Sequence, residues 1–348
     1  MNRGSFDRSA LDAIQRFPLI TAPTSLDSIR CEIPGFCGSL FMKRDDNTGF
    51  AMGGNKGRKL EYTIADALAK GATAVVTSGG IQSNHVRQTA AAAAKAGLAC
   101  HAILTPALAQ YPRAHLESGN ALLDMIFGAQ VHVAANEADA ELLVLQVAND
   151  LRGAGGRPHV VPPGASDGVG SLGYVQCAWE LRDQCQSLGI DPAAVFVSTG
   201  SGGTHGGLLA GARLDGWDVP IIGISVSEPA EIKRSRVRSA MTMIGERLGC
   251  HIPFNEADII IDDTHTGAGY AHPTESANRW VKKLARSDGI LLDPIYTGKG
   301  FSGMADIIGG GSIAGDVVFI HTGGTPALFA DPQLLVTIAT DAPCLKIL

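Results

Sequence analysis

The sequence lacks the features that mark polyanion-binding, secreted or membrane-spanning proteins. No run of Lys or Arg is longer than two residues and the formal net charge is −6, so nothing indicates binding to nucleic acid or to an anionic membrane. The N-terminal stretch has no apolar signal-peptide core, and no run of about 18 apolar residues occurs that could span a bilayer. These absences predict a cytoplasmic protein.

The cysteines also lack a pattern. There are seven, an odd number, and no two are spaced as Cys-x-x-Cys, so neither a disulfide framework nor a zinc site is predicted. We expect no bound metal, and mostly buried free thiols of the kind found in a reducing compartment. The cysteines are Cys31, Cys37, Cys100, Cys177, Cys185, Cys250 and Cys344.

What the sequence does contain is an alternation of short apolar runs and amphipathic stretches. The 348 residues include 43 glycines without a Gly-X-Y period, which is typical of many tight loops between short elements. From Leu40 onward, each apolar run is followed by a helix-like segment. Parallel strands covered on both faces have this pattern, so the predicted fold class is α/β with doubly wound parallel sheet.

Periodicity and glycine positions predict the helices and their ends. We expect helices to end with a left-handed glycine at Gly71, Gly97, Gly128, Gly189 and Gly249. Predicted helices cover Lys59–Lys70, the stretch after Asn84, Asn120–Phe127, Asp139–Leu151, Gly173–Leu188, stretches from Thr204 and from Pro229, and Thr274–Ser287.

A glycine-rich loop, STGSGGTHGG at Ser198–Gly207, follows one buried strand and precedes a helix. Its backbone N–H groups, the helix N-terminus and the hydroxyls of Ser201 and Thr204 suit a phosphate group. The loop has neither the Gly-Lys-Ser/Thr of a nucleoside-triphosphate loop nor the dinucleotide spacing Gly-x-Gly-x-x-Gly. A tight turn that only needs small residues is the alternative.

Two further strand-to-helix loops carry polar groups. SGGIQSNHVRQTAA, Ser78–Ala91, offers more hydrogen-bonding groups than a connector needs, although a helix start capped by Ser83 or Asn84 would explain part of them. LLDPIYTGKG, at residues 291–300, contains a tyrosine whose role in packing or in chemistry stays open. The same applies to Tyr270 and His272 in GAGYAHPTE.

Lys56 follows two glycines and Asn55 and precedes a helix. Lysine forms Schiff bases with aldehydes when burial or neighbouring cations lower its pKa, and Arg58 and Lys59 could be such neighbours. From these residues alone, a solvated surface cation in a glycine turn is the favoured interpretation, because most lysines are surface residues.

Five segments together resemble a known family, and the resemblance runs from about Pro23 to Ala330. The sequence is similar to the pyridoxal-phosphate enzymes of the D-cysteine desulfhydrase and 1-aminocyclopropane-1-carboxylate (ACC) deaminase family. The resemblance implies the tryptophan-synthase-β-like fold, with a large cofactor-binding domain (residues 1–57 and 168–348) and a small one (58–167). The segments are GGNKGRKLEYTIADALAKGA, GGIQSNHVRQTAAAAAKAG, STGSGGTHGGLLAG, LLDPIYTGKG and FIHTGGTPALFA.

The resemblance also implies residue roles, a homodimer and a small amino-acid substrate. Lys56 would be the Schiff-base lysine for pyridoxal 5′-phosphate, and Ser83, Tyr270 and Tyr296 would complete the catalytic set. The implied cofactor contacts are Asn55, Asn84, Thr199, Gly200, Ser201, Gly202, Gly203, Thr204, Thr297 and Thr322. The implied substrate contacts are Gln82, Ser83, Asn84, His85 and Tyr270.

Two threonines bear on the reaction that the resemblance implies. ACC deaminases have Glu and Leu where this chain has Thr297 and Thr322. Threonine hydroxyls only hydrogen-bond a neutral pyridine ring, and the weaker electron sink favours β-elimination from a β-substituted alanine. D-cysteine desulfhydrase activity is therefore the expected function.

Other functions remain open at this point. Elimination of sulfite from L-cysteate would follow if His85, His205 and His272 line the site and attract a sulfonate, and elimination of chloride from 3-chloro-D-alanine would follow the same steps. ACC deamination is a weaker alternative. A catalytically silent binding protein that kept the fold is the alternative from another class.

Overall fold

The computed structural model describes residues 6–106 and 113–330. Ten strands of this part form two separate sheets. One sheet has six strands in the order β1-β2-β10-β7-β8-β9, and the other has four in the order β5-β4-β3-β6. The strands are β1 Leu26–Ile29, β2 Leu40–Lys43, β3 Ala74–Gly80, β4 Ala99–Thr105, β5 Gln130–Val133, β6 Pro158–Val161, β7 Ala194–Thr199, β8 Ile221–Ser225, β9 Ile260–Asp262 and β10 Val317–Ile320.

The α-helices of the described residues connect and cover these strands. They are α1 Ser9–Asp12, α2 Lys56–Ala69, α3 Asn84–Ala96, α4 Gly119–Ile126, α5 Glu137–Gly153, α6 Leu172–Leu188, α7 Gly203–Leu214, α8 Ala230–Leu248, α9 Glu275–Asp288 and α10 Thr297–Gly309.

Every strand pair is parallel except β1 with β2. Strands β7, β8 and β10 are buried along their whole length, because helices cover both faces of the six-stranded sheet. Separate apolar clusters fill the space on its two sides, and further clusters pack around the four-stranded sheet. The prediction of an α/β fold with two doubly wound parallel sheets is confirmed.

Most predicted elements are present, with ends shifted by one to three residues. The predicted cap glycines all have positive φ, from 64° to 81°. Three of these elements were not predicted, the first being the short helix α1 at Ser9–Asp12. The antiparallel edge strand β1 precedes the alternating region, and α10 begins inside LLDPIYTGKG, where we expected a loop. The Asp293 carboxylate accepts from the N–H groups of Ile295, Tyr296 and Thr297, and so organises the start of α10.

The four-stranded sheet is built from residues 74–161, and the remaining strands build the larger sheet. This division follows the predicted small domain at 58–167, whose precise end residues stay a prediction. None of the described helices is long and apolar enough to cross a membrane. The six described cysteines are free thiols, and Cys344 lies outside the described residues.

Candidate active site

A cavity of about 410 Å³ lies where the carboxyl ends of strands from both sheets face each other. Parallel α/β sheets carry their ligand sites at these ends. The lining residues are Asn55, Lys56, Ser78, Gly79, Gly80, Ser83, Asn84, His85, Glu137, Pro163, Gly164, Ser198, Thr199, Gly200, Ser201, Gly202, Thr204, His205, Val226, Ser227, Glu228, Lys233, Arg236, Tyr270, Tyr296, Thr322 and Gly323.

Lys56 is the first residue of α2 and enters the cavity from a tight turn. Gly53 makes the turn possible, because it has φ of 72° and a Cβ there would lie 1.6 Å from the Asp46 carbonyl oxygen. The Nζ of Lys56 donates to Asn55 Oδ1 at 3.0 Å. Burial, and then the charge of Arg87, lower the pKa of Lys56 to about 8, so a neutral amine is accessible near neutral pH.

The neighbouring cations differ from those we expected. Arg58 points away from the cavity and donates to both carboxylate oxygens of Asp45 and of Glu180. Lys59 donates to the Gly164 carbonyl and to Ser166 Oγ, both at 2.8 Å, and does not line the cavity. The cation that lowers the pKa of Lys56 is Arg87. Arg87 lies in the segment SGGIQSNHVRQTAA, within the helix predicted after Asn84.

The glycine-rich loop forms one wall of the cavity and ends at the N-terminus of α7. Thr199, Gly200, Ser201, Gly202 and Thr204 line the wall. The Thr204 hydroxyl accepts from Asn55 Nδ2 at 2.9 Å, which leaves its proton free for a bound group. Gly203 is not among the lining residues, and a Cβ there would lie 2.6 Å from Lys59 Nζ; as the first residue of α7 it can contribute its backbone N–H, so its cofactor contact stays a prediction.

The polar loop supplies Ser83, Asn84 and His85 to the opposite wall. Ser83 is the N-cap of α3, its Oγ accepting from the Val86 N–H at 3.3 Å, and it also faces the cavity. Gln82 is not among the lining residues, and its predicted substrate contact stays a prediction. Its amide donates to the carbonyls of His115 and Ser118, and its Oε1 accepts from the Asn120 N–H at 2.7 Å, so this side chain anchors the start of α4.

Two tyrosines close the site from the side of the larger sheet. The rings of Tyr270 and Tyr296 meet edge to face, with centroids 5.9 Å apart. Burial raises the pKa of both phenols, that of Tyr296 to well above its usual value, so both stay protonated near neutral pH. Hydroxyls of this kind can donate hydrogen bonds and deliver a proton.

The two threonines that distinguish this chain from the deaminases lie in different places. Thr322 lines the cavity, as predicted. Thr297 does not, because its hydroxyl donates to the buried Asp293 carboxylate at 2.7 Å and accepts from the Asp293 N–H at 2.8 Å. Its side chain therefore organises the start of α10, and a cofactor contact by Thr297 stays a prediction.

The histidines do not form a cationic site. Burial lowers the pKa of His205 to about 4, and burial together with the charges of Lys56 and Lys59 lowers the pKa of His85 well below its usual value. His85 bonds to Thr77 Oγ1 at 2.8 Å, and His205 to the Ile221 carbonyl at 3.2 Å. His272 is outside the cavity lining. His85 and His205 therefore line the cavity as neutral groups, and the prediction that the histidines favour a sulfonate gains no support from them.

Several charged lining residues were missed from the sequence. Lys233 and Arg236 on α8 both donate to the Gly200 carbonyl, at 2.9 and 3.4 Å, and both pair with Glu228. Glu137, the first residue of α5, brings an exposed carboxylate to the cavity rim. They belong to no local motif, and only the packing of α5 and α8 against the loops brings them here.

The donor set fits a phosphorylated aldehyde. The N-terminus of α7 and the hydroxyls of Ser201 and Thr204 can hold the phosphate, and the Lys56 amine faces the same space. Gly202, with φ of 88°, keeps the wall free of a side chain; a Cβ there would lie 2.9 Å from Arg236 backbone atoms. Within the described ranges, no three His, Cys, Asp or Glu side chains are grouped to hold a metal ion.

Comparison with known proteins agrees with this geometry. Residues 11–323 match a family described as pyridoxal-phosphate dependent enzyme. The chain is 42% identical over 328 residues to a D-cysteine desulfhydrase of Salmonella choleraesuis (strain SC-B67), covering 92% of this chain and 98% of that protein. It is 41% identical to the enzyme of the same name from Salmonella newport (strain SL254), with the same coverage.

Solved structures show the same architecture. An ACC deaminase homologue superposes with a TM-score of 0.86 at 32% identity, over 95% of this chain and 98% of that one. Diaminopropionate ammonia lyase of Escherichia coli superposes with a TM-score of 0.66 at 16% identity, covering 97% and 93% of the two chains, which shows a shared fold.

Proposed function

Because the chain belongs to the pyridoxal-phosphate-dependent enzymes, we propose that it is a carbon–sulfur lyase that converts D-cysteine and water to pyruvate, hydrogen sulfide and ammonia. The observation that carries the proposal is the placement of Lys56, with its lowered pKa, in one cavity with Ser83, both tyrosines and the glycine wall. Relatives named D-cysteine desulfhydrase, at 42% and 41% identity, support this substrate.

Different residues would bind the aldehyde, the phosphate and the ring substituent of the cofactor. The Lys56 amine would join its aldehyde, the glycine wall with Ser201 and Thr204 would bind its phosphate, and the Asn84 amide would contact its ring substituent. When bound, pyridoxal phosphate withdraws electrons from the substrate Cα and so makes the Cα–H bond acidic. Thr322 is the threonine that faces the cavity.

Lys56 and the hydroxyl groups then handle the protons. Once its amine is free, Lys56 can take the proton from the substrate Cα, since its pKa of about 8 leaves a useful fraction neutral. Ser83 and the two phenols keep their protons and can donate to the substrate carboxylate or to the departing sulfur. Loss of hydrosulfide from Cβ balances the reaction after hydrolysis.

The charges that line the cavity favour a substrate with a small uncharged Cβ substituent, such as a thiol, over one with a sulfonate. His85 and His205 are neutral, Lys233 and Arg236 are paired with Glu228, and Glu137 adds a negative charge at the rim. A sulfonate would gain no unpaired histidine cation here, and would face the Glu137 carboxylate. Elimination of sulfite from cysteate is accordingly not part of the proposal.

The proposal includes a homodimer in the cytoplasm. The family resemblance supports the dimer, and the six free thiols among the described residues support a reducing compartment. Light scattering on a size-exclusion column measures the subunit number, with about twice 36.1 kDa expected; a monomer would contradict this part.

The substrate assignment is tested by pyruvate and sulfide formation. D-cysteine, L-cysteine, L-cysteate, 3-chloro-D-alanine and ACC are compared side by side with the purified, cofactor-loaded protein. We expect the highest kcat/KM with D-cysteine, with sulfide and pyruvate formed in equal amounts. Turnover of ACC alone would contradict the proposal, and inactivity on every substrate together with a bound cofactor would favour a silent binding protein.

A further inference from the structure

Arg87 lies on α3, fully buried behind the cavity wall. Its Nη1 donates to the side-chain oxygens of Asn84 and Asn120, at 3.2 and 2.9 Å, and its Nη2 donates to the Gly53 carbonyl at 2.9 Å. The guanidinium thus connects the polar loop after β3 with the turn that presents Lys56. No family role was assigned to this arginine in the sequence.

The bonds of Arg87 determine the orientation of the Asn84 amide. A guanidinium contains only donors, so the atoms of Asn84 and Asn120 that face it must be oxygens. The Asn84 oxygen also accepts from Asn120 Nδ2 at 3.1 Å. With its oxygen held by two donors, Asn84 has its NH2 group left for the cavity that it lines. Asn84 can therefore offer a bound molecule a donor and not an acceptor.

The charge of Arg87 is not cancelled by its acidic neighbour. Asp124 on α4 is the carboxyl group whose charge acts on Arg87, but burial raises the pKa of Asp124 to about 8. Its two oxygens accept no hydrogen bond from the described residues, so no donor in this part of the chain stabilises the ionised form of Asp124. The pKa of Arg87 is lowered to about 10 by burial, which leaves the guanidinium charged.

Three groups interact electrostatically with the Lys56 amine. After burial, the charge of Arg87 lowers the pKa of Lys56, and the charge of Lys56 in turn adds to burial in lowering the pKa values of Lys59 and His85. His85 is neutral, and Lys59 is held by Gly164 and Ser166. Arg87 is the charged group of this set that also contacts the Lys56 turn.

Resting on the proposed function, we propose that Arg87 is a positioning residue of the cofactor site. It turns the Asn84 amide nitrogen toward the cavity, holds the Gly53 turn that presents Lys56, and places a positive charge behind the Lys56 ammonium.

The test separates charge from geometry with two substitutions. Arg87→Met removes the cation, and Arg87→Lys keeps it but cannot bond all three acceptors in the fork of a guanidinium. The control is Arg213→Lys, because Arg213 is also buried and donates to two backbone carbonyls, outside the cavity. Cofactor affinity and the pH midpoint of the bound cofactor's absorption spectrum are measured for each, with thermal unfolding as a check of folding.

We expect Arg87→Met to weaken cofactor binding about tenfold, from the lost hydrogen bonds, and to raise the spectral midpoint by about one pH unit, since a like charge is removed. Arg87→Lys should weaken binding with a midpoint near that of the wild type, and Arg213→Lys should change neither. Wild-type affinity and midpoint in both Arg87 variants would overturn the inference. If Arg87→Met does not fold, the affinity of Arg87→Lys decides.

The two proposals fail in different ways. A wild-type protein without an absorption band that depends on Lys56 would overturn the proposed function, and this inference with it. A wild-type protein with that band, and Arg87 variants that match it in affinity and midpoint, would overturn the role of Arg87 alone.

Discussion

At the residue scale, the charge of Glu137 should weaken the binding of substrates or inhibitors with an anionic side chain. Its exposed carboxylate lines the cavity, and its charge adds to burial and to the charge of Asp293 in raising the pKa of Tyr270. We expect Glu137→Gln to tighten inhibition by D-cysteate about threefold, because an exposed charge contributes up to about 1 kcal/mol, and to leave KM for D-cysteine unchanged. Glu141→Gln, one turn along α5 and outside the lining, is the control. Equal inhibition constants for both variants would exclude the rim charge as a selecting element.

Asp124 makes stability depend on pH. Its pKa is about 8 in the folded protein against 3.8 for the free group, so the folded state holds a proton that the unfolded state loses. This contribution to stability is complete below about pH 4 and is lost progressively as the pH rises through 8. We expect the free energy of unfolding of Asp124→Asn, measured in urea relative to that of the wild type, to be higher at pH 8 than at pH 5 by on the order of 2 kcal/mol. A constant difference between the two proteins at both pH values would contradict this.

The family resemblance selected Lys56, Ser83, Asn84 and the two tyrosines, all of which line the cavity, whereas the residues taken alone left Lys56 and the tyrosines open. It could not show which way neighbouring polar side chains turn. Gln82 is drawn to the backbone of α4, and Thr297 to Asp293. Such directions depend on tertiary partners.

At the element scale, the glycine wall depends on backbone conformations without a Cβ. Gly202 has φ of 88° and lies against Arg236, whereas Gly216, at the far end of α7, has φ of 66° and no atom within 4 Å of a Cβ position. Alanine at either glycine strains the backbone by about 1 kcal/mol. We expect Gly202→Ala alone to weaken cofactor binding, by about tenfold or more, because displacing Arg236 moves the wall.

Cofactor titrations monitored by absorbance compare Gly202→Ala and Gly216→Ala directly. Equal affinities would show that the wall tolerates a side chain at Gly202 and is not the phosphate site.

Elements were predicted well where periodicity and end signals agree. Helix α3 combines an amphipathic pattern with a terminal glycine, Gly97, and it begins at Asn84 and ends at Ala96, close to its predicted ends. The start of α10 was missed because Gly298 and Gly300 indicate a loop. In the structure both glycines lie inside the helix, and a Cβ at these positions would collide with Asp293 or with Ser198. Tertiary packing overrides local propensity at this position.

At the scale of the whole molecule, a buried ion network connects the N-terminal strands to helices of the larger sheet. Arg58 on α2 binds Asp45 and Glu180, and Lys43 on β2 also pairs with Glu180. Both carboxyl groups have lowered pKa values, that of Asp45 about 2. Their contribution to stability is present above about pH 4 and is lost as the pH falls toward 2.

We expect Arg58→Met to lower the free energy of unfolding by about 3 kcal/mol at pH 7, because it leaves buried carboxylates with less compensation. The midpoint of acid unfolding should move to higher pH, since Asp45 loses the cation that keeps it ionised. Arg238→Met removes an exposed pair with Glu256 and should leave both quantities unchanged. An acid midpoint in Arg58→Met equal to that of the wild type would contradict this account of the network.

Lys56 is expected to carry the cofactor in the cavity that residues from both sheets line. Borohydride reduction of the cofactor-loaded protein fixes the cofactor to its lysine, and mass spectrometry of the digested chain identifies that residue. We expect the modification on Lys56 in the wild type. In Lys56→Ala we expect neither the modification nor the visible absorption band. Modification of another lysine, such as Lys59 or Lys299, or an unchanged band in Lys56→Ala, would contradict it.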